Sequence, residues 1–526
     1  MRRHLLVAKK GQKRQFNPIR LRFIIRGLIV GVLVGIVVST FRFLIETGLN
    51  WVMKIYPTLA SHPLRLGAWV IGSIVIALII GRIVKTAPEI SGSGIPQVEG
   101  QLEGELDYPW WPVFWKKFVT GLFSIGSGLF LGREGPSIQL GASLAQGVAE
   151  WHHDSGSNRR IMIASGAAAG LAAAFDAPIA GTLFVLEEIY HNFSPLVWMT
   201  SLASALGADF ISANVFGLKP VLQIRYAHSF PISQYGHLIV LGILLGLLGY
   251  VYQRFLLAQS KWYSWLKLPR WVDGVIPFLL VIPIGMFDIH MLGGGNQVIL
   301  RLAVQTPTLR FLLLLAVIRF FFSMISYGSG LPGGFFLPIL TFGAILGAIY
   351  GVVLSQLGWL DPIYITNLII FAMAAYFACI TKAPFTAILL VTEMVGNLQH
   401  LMPLAVMALT AYIVVDLLGG APIYQSLLDR LLVSTHLKQV HQMQRFEMPV
   451  FEGSAMDNLQ VRDFKWPKQS LLIGLRRGDR NVIPHGDTLI QAGDTLILLA
   501  DQGQISIVRH QIEQTVAQMS ELATNP

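Results

Sequence analysis

The chain has 526 residues, of which 53% are hydrophobic and only 13% are charged. Soluble domains carry about 25% charged residues, so this composition excludes an ordinary soluble protein and indicates a polytopic membrane protein. Much of the net charge of +10 lies in the first 26 residues, which predicts a cytoplasmic N-terminus and gives no signal for nucleic acid. The single cysteine, Cys379, excludes an intrachain disulfide.

Apolar segments follow one another along most of the chain, and glycine and proline interrupt many of them. Several are shorter than the roughly 20 residues that a helix needs to cross a bilayer. Short, interrupted segments of this kind are typical of transporter binding sites. The segments lie near 24–45, 67–86, 116–132, 136–151, 159–174, 178–191, 195–216, 236–257, 272–288, 307–326, 336–358, 364–379, 383–395 and 401–418.

The sequence contains an internal repeat. The segment 126–144 aligns with 328–346, which pairs Gly132 with Gly334. Further on, 172–188 aligns with 374–394, which pairs Pro178 with Pro384 and Glu187 with Glu393. Two matches in the same order predict two related halves, about 20–215 and 235–420. We infer that the halves are inverted, with the substrate near the midplane where discontinuous helices meet.

The chain changes character after residue 420. Residues 421–445 read as an amphipathic helix, and 446–515 as a small α/β domain. Three apolar runs predict its strands: SLLIGLRR, DTLIQ and DTLILLA. His485, Asp487 and Asp494 suggest a metal site, but turns at the Gly-Asp pairs explain the aspartates better. The predicted fold is therefore an all-α membrane protein, an inverted repeat of two helical halves, followed by a small cytoplasmic α/β domain.

The segment Gly126–Gly141 places Arg133 and Glu134 side by side inside an apolar region, followed by Gly135 and Pro136. Proline is common in the first turn of a helix, so this pattern predicts a helix that starts here. The free amides and the dipole of such a start attract an anion. A carboxylate at membrane depth costs several kcal/mol and usually marks an ion or proton path.

Four motifs follow in order along the membrane portion: GSGIP at 92–96, GREGP at 132–136, GGFFLP at 333–338 and a tyrosine in APIYQSLL at 421–428. Together with the repeat they resemble the CLC family of chloride channels and proton/chloride exchangers, over residues 20–435. The resemblance implies a homodimer with one pore in each subunit, in a prokaryotic plasma membrane with both termini cytoplasmic. It implies chloride and protons as transported ions, with no cofactor or metal. We find no HExxH, GxSxG or P-loop pattern, which argues against an enzyme.

The resemblance implies a chloride site built from neutral donors. Ser93, with Gly94, would offer its hydroxyl to chloride, although a serine here also suits a helix N-cap. Backbone amides at Phe335 and Phe336 would bind the central anion, although core packing is the alternative for both side chains. Tyr424 would narrow the inner gate, although tyrosines are also common at membrane interfaces.

Two glutamates would couple protons to chloride. By the resemblance, Glu134 is a gate that occupies an anion site when charged and leaves it when protonated. Glu188, the second acid of LFVLEE, would relay protons from the cytoplasm, whereas Glu187 beside it would be supporting. Passive CLC channels generally have an uncharged residue at the position of Glu188, so exchange is favoured. A passive chloride channel of the same fold is the alternative.

Several further features remain supporting expectations. Glu99 and Lys117 are expected to form a buried pair of opposite charge, and Glu393 is expected to line the inner vestibule. Gln97 stands where some bacterial relatives have an acid. The tail resembles the C-terminal subdomain of RCK regulatory modules (the TrkA-C type), which implies dimerisation or sensing of an unknown small ligand by residues 446–515.

Overall fold

The computed structural model describes residues 18–224, 228–436, 443–451, 453–478, 480–501 and 504–524. The predicted basic N-terminal segment 1–19 lies almost entirely outside these ranges. The first half of the membrane portion contains α1 (Pro18–Leu59), α2 (Pro63–Thr86), α3 (Ile95–Glu103), α4 (Trp110–Gly126), α5 (Glu134–Trp151), α6 (Ser157–Phe175), α7 (Pro178–Phe184) and α8 (Pro195–Phe216).

The second half repeats this organisation. It contains α9 (Tyr235–Trp265), α10 (Val275–Phe287), α11 (Asn296–Val304), α12 (Leu309–Gly328), α13 (Phe336–Gln356), α14 (Ile365–Thr381), α15 (Pro384–Val395) and α16 (Leu401–Leu417), and is followed by α17 (Ile423–His436). Across the described ranges, nine helical segments are long and apolar enough to cross a membrane. The shorter helices lie among them, as the interrupted hydropathy predicts.

The packing of the helices confirms the repeat. In the first half α1 packs on α8, α5 on α6, and α6 on α8. In the second half the same pairs recur as α9 on α16, α13 on α14, and α14 on α16. Gly141 of α5 lies against α6 so closely that a Cβ would be 2.1 Å from the carbonyl oxygen of Gly166. The missing side chain therefore permits this close helix packing.

The second pair of repeated segments also shares its backbone geometry. Asp176 is the C-cap of α6 and Lys382 is the C-cap of α14, and both of these residues adopt the left-handed conformation, with φ of 51° and 63°. A proline then begins the next helix in each half, Pro178 in α7 and Pro384 in α15. A fixed φ at the first helical turn makes proline a good starting residue.

The C-terminal domain is a four-stranded antiparallel sheet covered by one helix. Its elements are β1 (Met443–Pro449), β2 (Ser470–Arg477), β3 (Arg480–Val482), β4 (Asp494–Asp501) and α18 (Ile505–Thr524), with the strand order β1-β4-β2-β3. The predicted runs SLLIGLRR and DTLILLA are β2 and β4. The prediction for DTLIQ was wrong: it forms a turn that contributes only an isolated bridge between Leu489 and Gln460.

Strand β1 had no clear sequence signal, because its polar and charged residues alternate with few apolar ones. Asp494 ends a turn, as expected for a Gly-Asp pair. Its carboxylate accepts a hydrogen bond of 2.8 Å from the amide of Gln491 and pairs with Arg477 at 2.8 Å. The domain touches the membrane portion at the start of α6, where Ser157 donates to Glu447 at 2.7 Å.

Candidate functional site

The starts of α5 and α13 meet at one point in the centre of the membrane portion. Gly132 and Gly334, which precede these helices, exchange two backbone hydrogen bonds of 2.7 Å each in antiparallel register. These are the glycines that the repeat pairs. Each helix start presents unpaired amides and the positive end of a dipole to the same region. The two halves therefore form one anion-attracting centre, and the chain runs in opposite directions through the paired glycines.

Ser93 lies beside the start of α5. A Cβ on Gly135 would be 2.3 Å from the Ser93 hydroxyl oxygen, so only glycine permits this approach. Ser93 is 2% exposed, and the N-cap of α3 is Gly94, with φ of 92°. The Ile95 amide reaches the Ser93 hydroxyl only at 3.5 Å. The expected capping role is thus weak, and the hydroxyl faces the centre at which α5 starts.

Lys117 positions the loop that carries Ser93. Its buried ammonium group donates to the carbonyl oxygens of Ile90 at 2.9 Å and Gly92 at 2.8 Å. The expected pairing of Lys117 with Glu99 was wrong, because the ammonium is used by these carbonyls and neither carboxylate oxygen of Glu99 has a hydrogen-bond partner among the described residues. The two hydrogen bonds from the buried lysine therefore hold the loop before α3 in place.

Glu134 is fully buried as the first residue of α5. Neither of its carboxylate oxygens has a hydrogen bond of normal geometry within the described ranges, although the Leu337 amide at the start of α13 faces it. Arg133, its neighbour in sequence, turns away: the guanidinium donates to Glu46 at 2.6 Å and to the Ala174 carbonyl at 3.5 Å. A carboxylate thus occupies the anion-attracting centre without a salt bridge to any described residue, although the neighbouring Arg133 charge acts on it.

The network that holds Arg133 was missed by the sequence reasoning. Glu46 of α1 also accepts from Arg42 at 3.2 Å, and Arg42 pairs with Asp176 at 2.8 Å. The spacing of Arg42 and Glu46, four residues apart within an apolar helix, was a usable signal. Their link to Arg133 depends on the packing of α1 against α5.

An aromatic cluster is linked to Ser93 through Tyr327, which interacts with the Ser93 backbone. Phe335 stacks on Tyr424, with ring centroids 5.2 Å apart, and Phe336 packs against Phe377 at 4.3 Å. The Tyr424 hydroxyl is buried and has no hydrogen-bond partner in the described part of the chain. Tyr327, which we did not predict, contacts Phe335 at 4.8 Å. Ser93 and Tyr424 are both almost entirely buried, at 2% and 1% exposed.

Glu187 and Glu393 make reciprocal contacts across the two halves. Glu187 accepts from the amides of Phe385 at 3.2 Å and Thr386 at 2.8 Å, at the start of α15. Glu393 accepts from the amides of Ile179 at 3.1 Å and Ala180 at 2.7 Å, at the start of α7. Each acid thus satisfies two free amides of the helix in the other half. The structure therefore gives Glu393 a capping role, and its place at the inner vestibule stays a prediction.

Glu188 differs from its neighbour. It lies in a π-helical turn, Val185–Ile189, and is 3% exposed. Its Oε1 atom has no hydrogen-bond partner among the described residues, and its charge faces Glu99 and Tyr424. Such π turns are common at functional sites. No group of three or more potential metal ligands occurs in the described ranges.

Comparison with known proteins places this arrangement in a family. The family described as voltage gated chloride channel matches residues 72–416, and the TrkA-C domain matches 445–512. The H(+)/Cl(-) exchange transporter ClcA of Vibrio cholerae is 33% identical over 430 residues, which cover 78% of this chain and 90% of that protein. ClcA of Salmonella arizonae is 31% identical over 455 residues, covering 84% and 94%.

A solved structure gives the same result for the fold. The crystal structure of a slow cyanobacterial Cl-/H+ antiporter superposes with a TM-score of 0.73 and 32% sequence identity, covering 80% of this chain and 99% of that chain. The chain therefore belongs to the voltage-gated chloride channel (CLC) family and carries a TrkA-C domain after its membrane portion.

Proposed function

We propose that the chain is a secondary active transporter that exchanges chloride for protons across a membrane. The observation that carries this proposal is the Glu134 carboxylate, which is buried at the meeting point of α5 and α13 with no salt bridge to any described residue. The names of the relatives, which are exchangers, support the same function.

Chloride would bind through neutral donors. These donors would be the Ser93 hydroxyl, the backbone amides at Phe335 and Phe336, and the Tyr424 hydroxyl. Neutral dipoles suit a transported ion, because a fully charged group would hold the anion too tightly for turnover. Gly135 supports the site by allowing Ser93 to approach α5. Lys117 supports it by fixing the loop before Gly94.

Glu134 would act as the gate. Burying a charged acid at the centre of a membrane costs about 2.5–3.5 kcal/mol on insertion scales, and nearby helix starts offset part of this cost only for the charged form. When the carboxylate takes up a proton, that attraction is lost and chloride replaces it at the anion site. Proton and chloride thus compete for one position, and this competition couples their movements.

Glu188 would relay protons between the cytoplasm and Glu134. The adjacent acid, Glu187, is committed to the amides of α15, whereas Glu188 has an oxygen without a partner. Only the second acid is therefore available to bind and release a proton. Its position beside Tyr424 supports a route that reaches the gate from the inner side.

The organisation of the whole chain follows from the same proposal. We assign residues 1–19 to a cytoplasmic segment, 20–435 to the transport domain and 446–515 to a regulatory domain for dimerisation or for sensing an unidentified small ligand. Both termini would lie in the cytoplasm, and the transporter would form a homodimer with one pore per subunit in a prokaryotic plasma membrane. This function needs no enzymatic step and no cofactor.

A reversal-potential measurement on the unmodified protein tests the proposal. The full chain is reconstituted into vesicles, and the potential is measured with a fixed chloride gradient and a varied pH gradient. For an exchanger, the reversal potential shifts with the pH gradient, because both ions contribute to it. A potential that stays at the chloride equilibrium value at every pH gradient would identify a passive channel and reject the proposal.

A further inference from the structure

A large cavity lies between the membrane portion and the C-terminal domain. Its volume is about 1420 Å³, and its walls come from the first turns of α1, α6 and α8, from the loop before α8, and from the strands β1, β2 and β4. Helices α1 and α8 are long and apolar enough to cross a membrane, and both begin at this cavity. The cavity therefore lies at a membrane surface, beside the sheet domain.

The sheet turns a charged face towards the cavity. Phe446 of β1 is buried in the core of the C-terminal domain, so its neighbours in the strand, Arg445 and Glu447, point the other way. Glu447 contacts the membrane portion, because it accepts a hydrogen bond from Ser157 of α6 at 2.7 Å, and it pairs with Arg476 of β2 at 2.8 Å. The two parts of the molecule are therefore in contact beside the cavity, and Arg445 lines it.

The described walls of the cavity carry an excess of positive charge. They contain six arginines and four acids. Three of the acids are already paired with arginines: Asp154 with Arg26 at 2.9 Å, Glu447 with Arg476 at 2.8 Å, and Asp494 with Arg477 at 2.8 Å. The fourth acid, Asp457, accepts a hydrogen bond from the Ala492 amide at 2.8 Å. The acids in the walls are therefore committed, and they cannot balance all of the arginines.

Three arginines on different walls are available to a ligand. Arg22 belongs to α1, Arg160 to α6 and Arg445 to β1, and none of the three forms an ion pair with a described residue. Guanidinium groups in the walls of one cavity repel each other, and an anion between them replaces this repulsion with attraction. The fork of N–H groups on a guanidinium matches the oxygens of a phosphate or carboxylate. The arrangement therefore suits an anion that carries several oxygens.

The position of the cavity and its apolar residues favour the phosphate group of a phospholipid. Phe193 in the loop before α8 and Phe451 just after β1 line the same cavity and are 60% and 58% exposed. A phospholipid presents a phosphate beside an apolar chain, and basic pockets next to spanning helices bind anionic head groups. The chain before α1 does not supply the missing negative charge, because residues 1–17 contain no aspartate or glutamate.

We propose that this cavity binds the phosphate group of an anionic ligand, and that the bound ligand joins the C-terminal domain to the membrane portion. Arg22 and Arg160 hold the phosphate from the membrane side, and Arg445 holds it from the sheet. The inference rests on the regulatory role proposed for residues 446–515 and names the chemistry of their ligand. The site is separate from the ion site, since neither Ser93 nor Glu134 lines the cavity.

Calorimetry on the full chain in detergent tests the site with two probes. Dioctanoyl phosphatidylglycerol represents an anionic lipid, and inorganic phosphate represents a free anion. Chloride is kept at a saturating concentration so that phosphate does not enter the ion site. Arg160→Gln and Arg445→Gln each remove one charge from opposite walls, so each should weaken binding about tenfold, and the double variant about 100-fold.

Two controls accompany these measurements. Arg480→Gln removes an exposed arginine of β3 that does not line the cavity, and it should bind as the unmodified protein does. Dioctanoyl phosphatidylcholine, whose headgroup has no net charge, should bind about tenfold more weakly than phosphatidylglycerol. If Arg160→Gln does not fold, because this guanidinium lies against Gly104 at the end of α3, Arg22→Gln takes its place.

The outcomes separate the sources of the phosphate from failure of the site. Tighter binding of phosphatidylglycerol than of inorganic phosphate supports a lipid headgroup, and equal binding of the two supports a free phosphate compound. Absence of binding by both probes would overturn the proposal. Binding that is unchanged in the cavity variants, equally weakened in Arg480→Gln, or equal for phosphatidylcholine would overturn it too. Binding is measured without ion flux, so a protein that binds the probe but does not couple chloride to protons would reject only the proposed exchange function.

Discussion

The two halves of the membrane portion share their backbone but differ at two acids. Glu134 begins α5, and its counterpart at the start of α13 is Phe336. Glu188 follows α7, and the repeat pairs it with Met394 of α15. All four side chains are buried. The charged member of each pair lies in the first half.

The repeated acids behave differently from these unrepeated ones. Glu187 and Glu393 each accept two amide hydrogen bonds from a helix of the other half. Glu134 has no hydrogen-bond partner among the described residues, and Glu188 has one oxygen without a partner. The repeated acids, Glu187 and Glu393, therefore hold the two halves together. The unrepeated acids, Glu134 and Glu188, are available to bind a proton.

The largest expected effect comes from Glu134→Ala. Removal of the carboxylate leaves the anion site formed by the two helix starts but removes the group that exchanges with chloride. We expect continued chloride flux and complete loss of chloride-driven proton movement, measured with a pH electrode in a vesicle suspension. Glu134→Gln, a permanently neutral side chain of the same shape, should also lose proton movement. Proton uptake by either variant would contradict the gate.

Glu188→Gln should have the next largest effect. An amide cannot take up a proton at these pH values, so proton flux should fall by about 100-fold, the low end of what a positioned proton-transfer group contributes. Chloride flux should continue, because Glu188 does not lie at the anion site. Glu187→Gln is the matched control, one residue away, and should keep the proton flux of the folded protein. Equal loss in both variants would remove the distinction between the two acids.

The sequence predicted the paired helix starts because both halves carry the same glycines and prolines. Backbone geometry depends strongly on these residue types, so Gly132 and Gly334 could be paired without knowledge of the fold. The same reasoning located Glu134 and Phe336, whereas Ser93 and Tyr424 were singled out by motifs of the family resemblance, which also supplied all four roles.

The failures at the site concern side chains that bond to groups on other elements of the fold. Arg133 was placed beside Glu134 by sequence but bonds to Glu46 of α1, 87 residues away. The partners of Lys117 are carbonyl groups, which every residue possesses, so no residue type signals them. Contacts between a side chain and backbone at another element require the packing of that element to be known.

The reciprocal caps predict a smaller, symmetric effect on stability. Glu187→Gln and Glu393→Gln each replace one acceptor oxygen with an amide nitrogen that faces backbone N–H groups. Hydrogen bonds to a charged group contribute about 1.5–3 kcal/mol, so each variant should lower the free energy of unfolding by about this amount. Denaturant unfolding in detergent measures it. If only one of these two variants were destabilised, the two glutamates would not contribute equally to the contact between the halves.

The smallest expected effects compare Tyr424, whose hydroxyl is proposed to bind chloride, with Tyr263, whose hydroxyl stabilises the fold. The Tyr424 hydroxyl has no hydrogen-bond partner in the described residues, whereas the Tyr263 hydroxyl donates to the Ile325 carbonyl at 2.6 Å. Tyr424→Phe should weaken chloride binding by about 2- to 10-fold and leave stability unchanged, since the lost hydrogen bond would be the one made to the anion.

Tyr263→Phe should do the reverse. It leaves a carbonyl without its partner and should lower the free energy of unfolding by about 0.5–1.5 kcal/mol, while chloride affinity by calorimetry stays constant. If Tyr424→Phe destabilised the protein and bound chloride normally, its hydroxyl would belong to the fold, as the repeated acids do. Tyr424 would then narrow the inner gate only through its aromatic ring, which stacks on Phe335. The donor groups for the anion would be limited to Ser93 and the backbone amides of the helix starts.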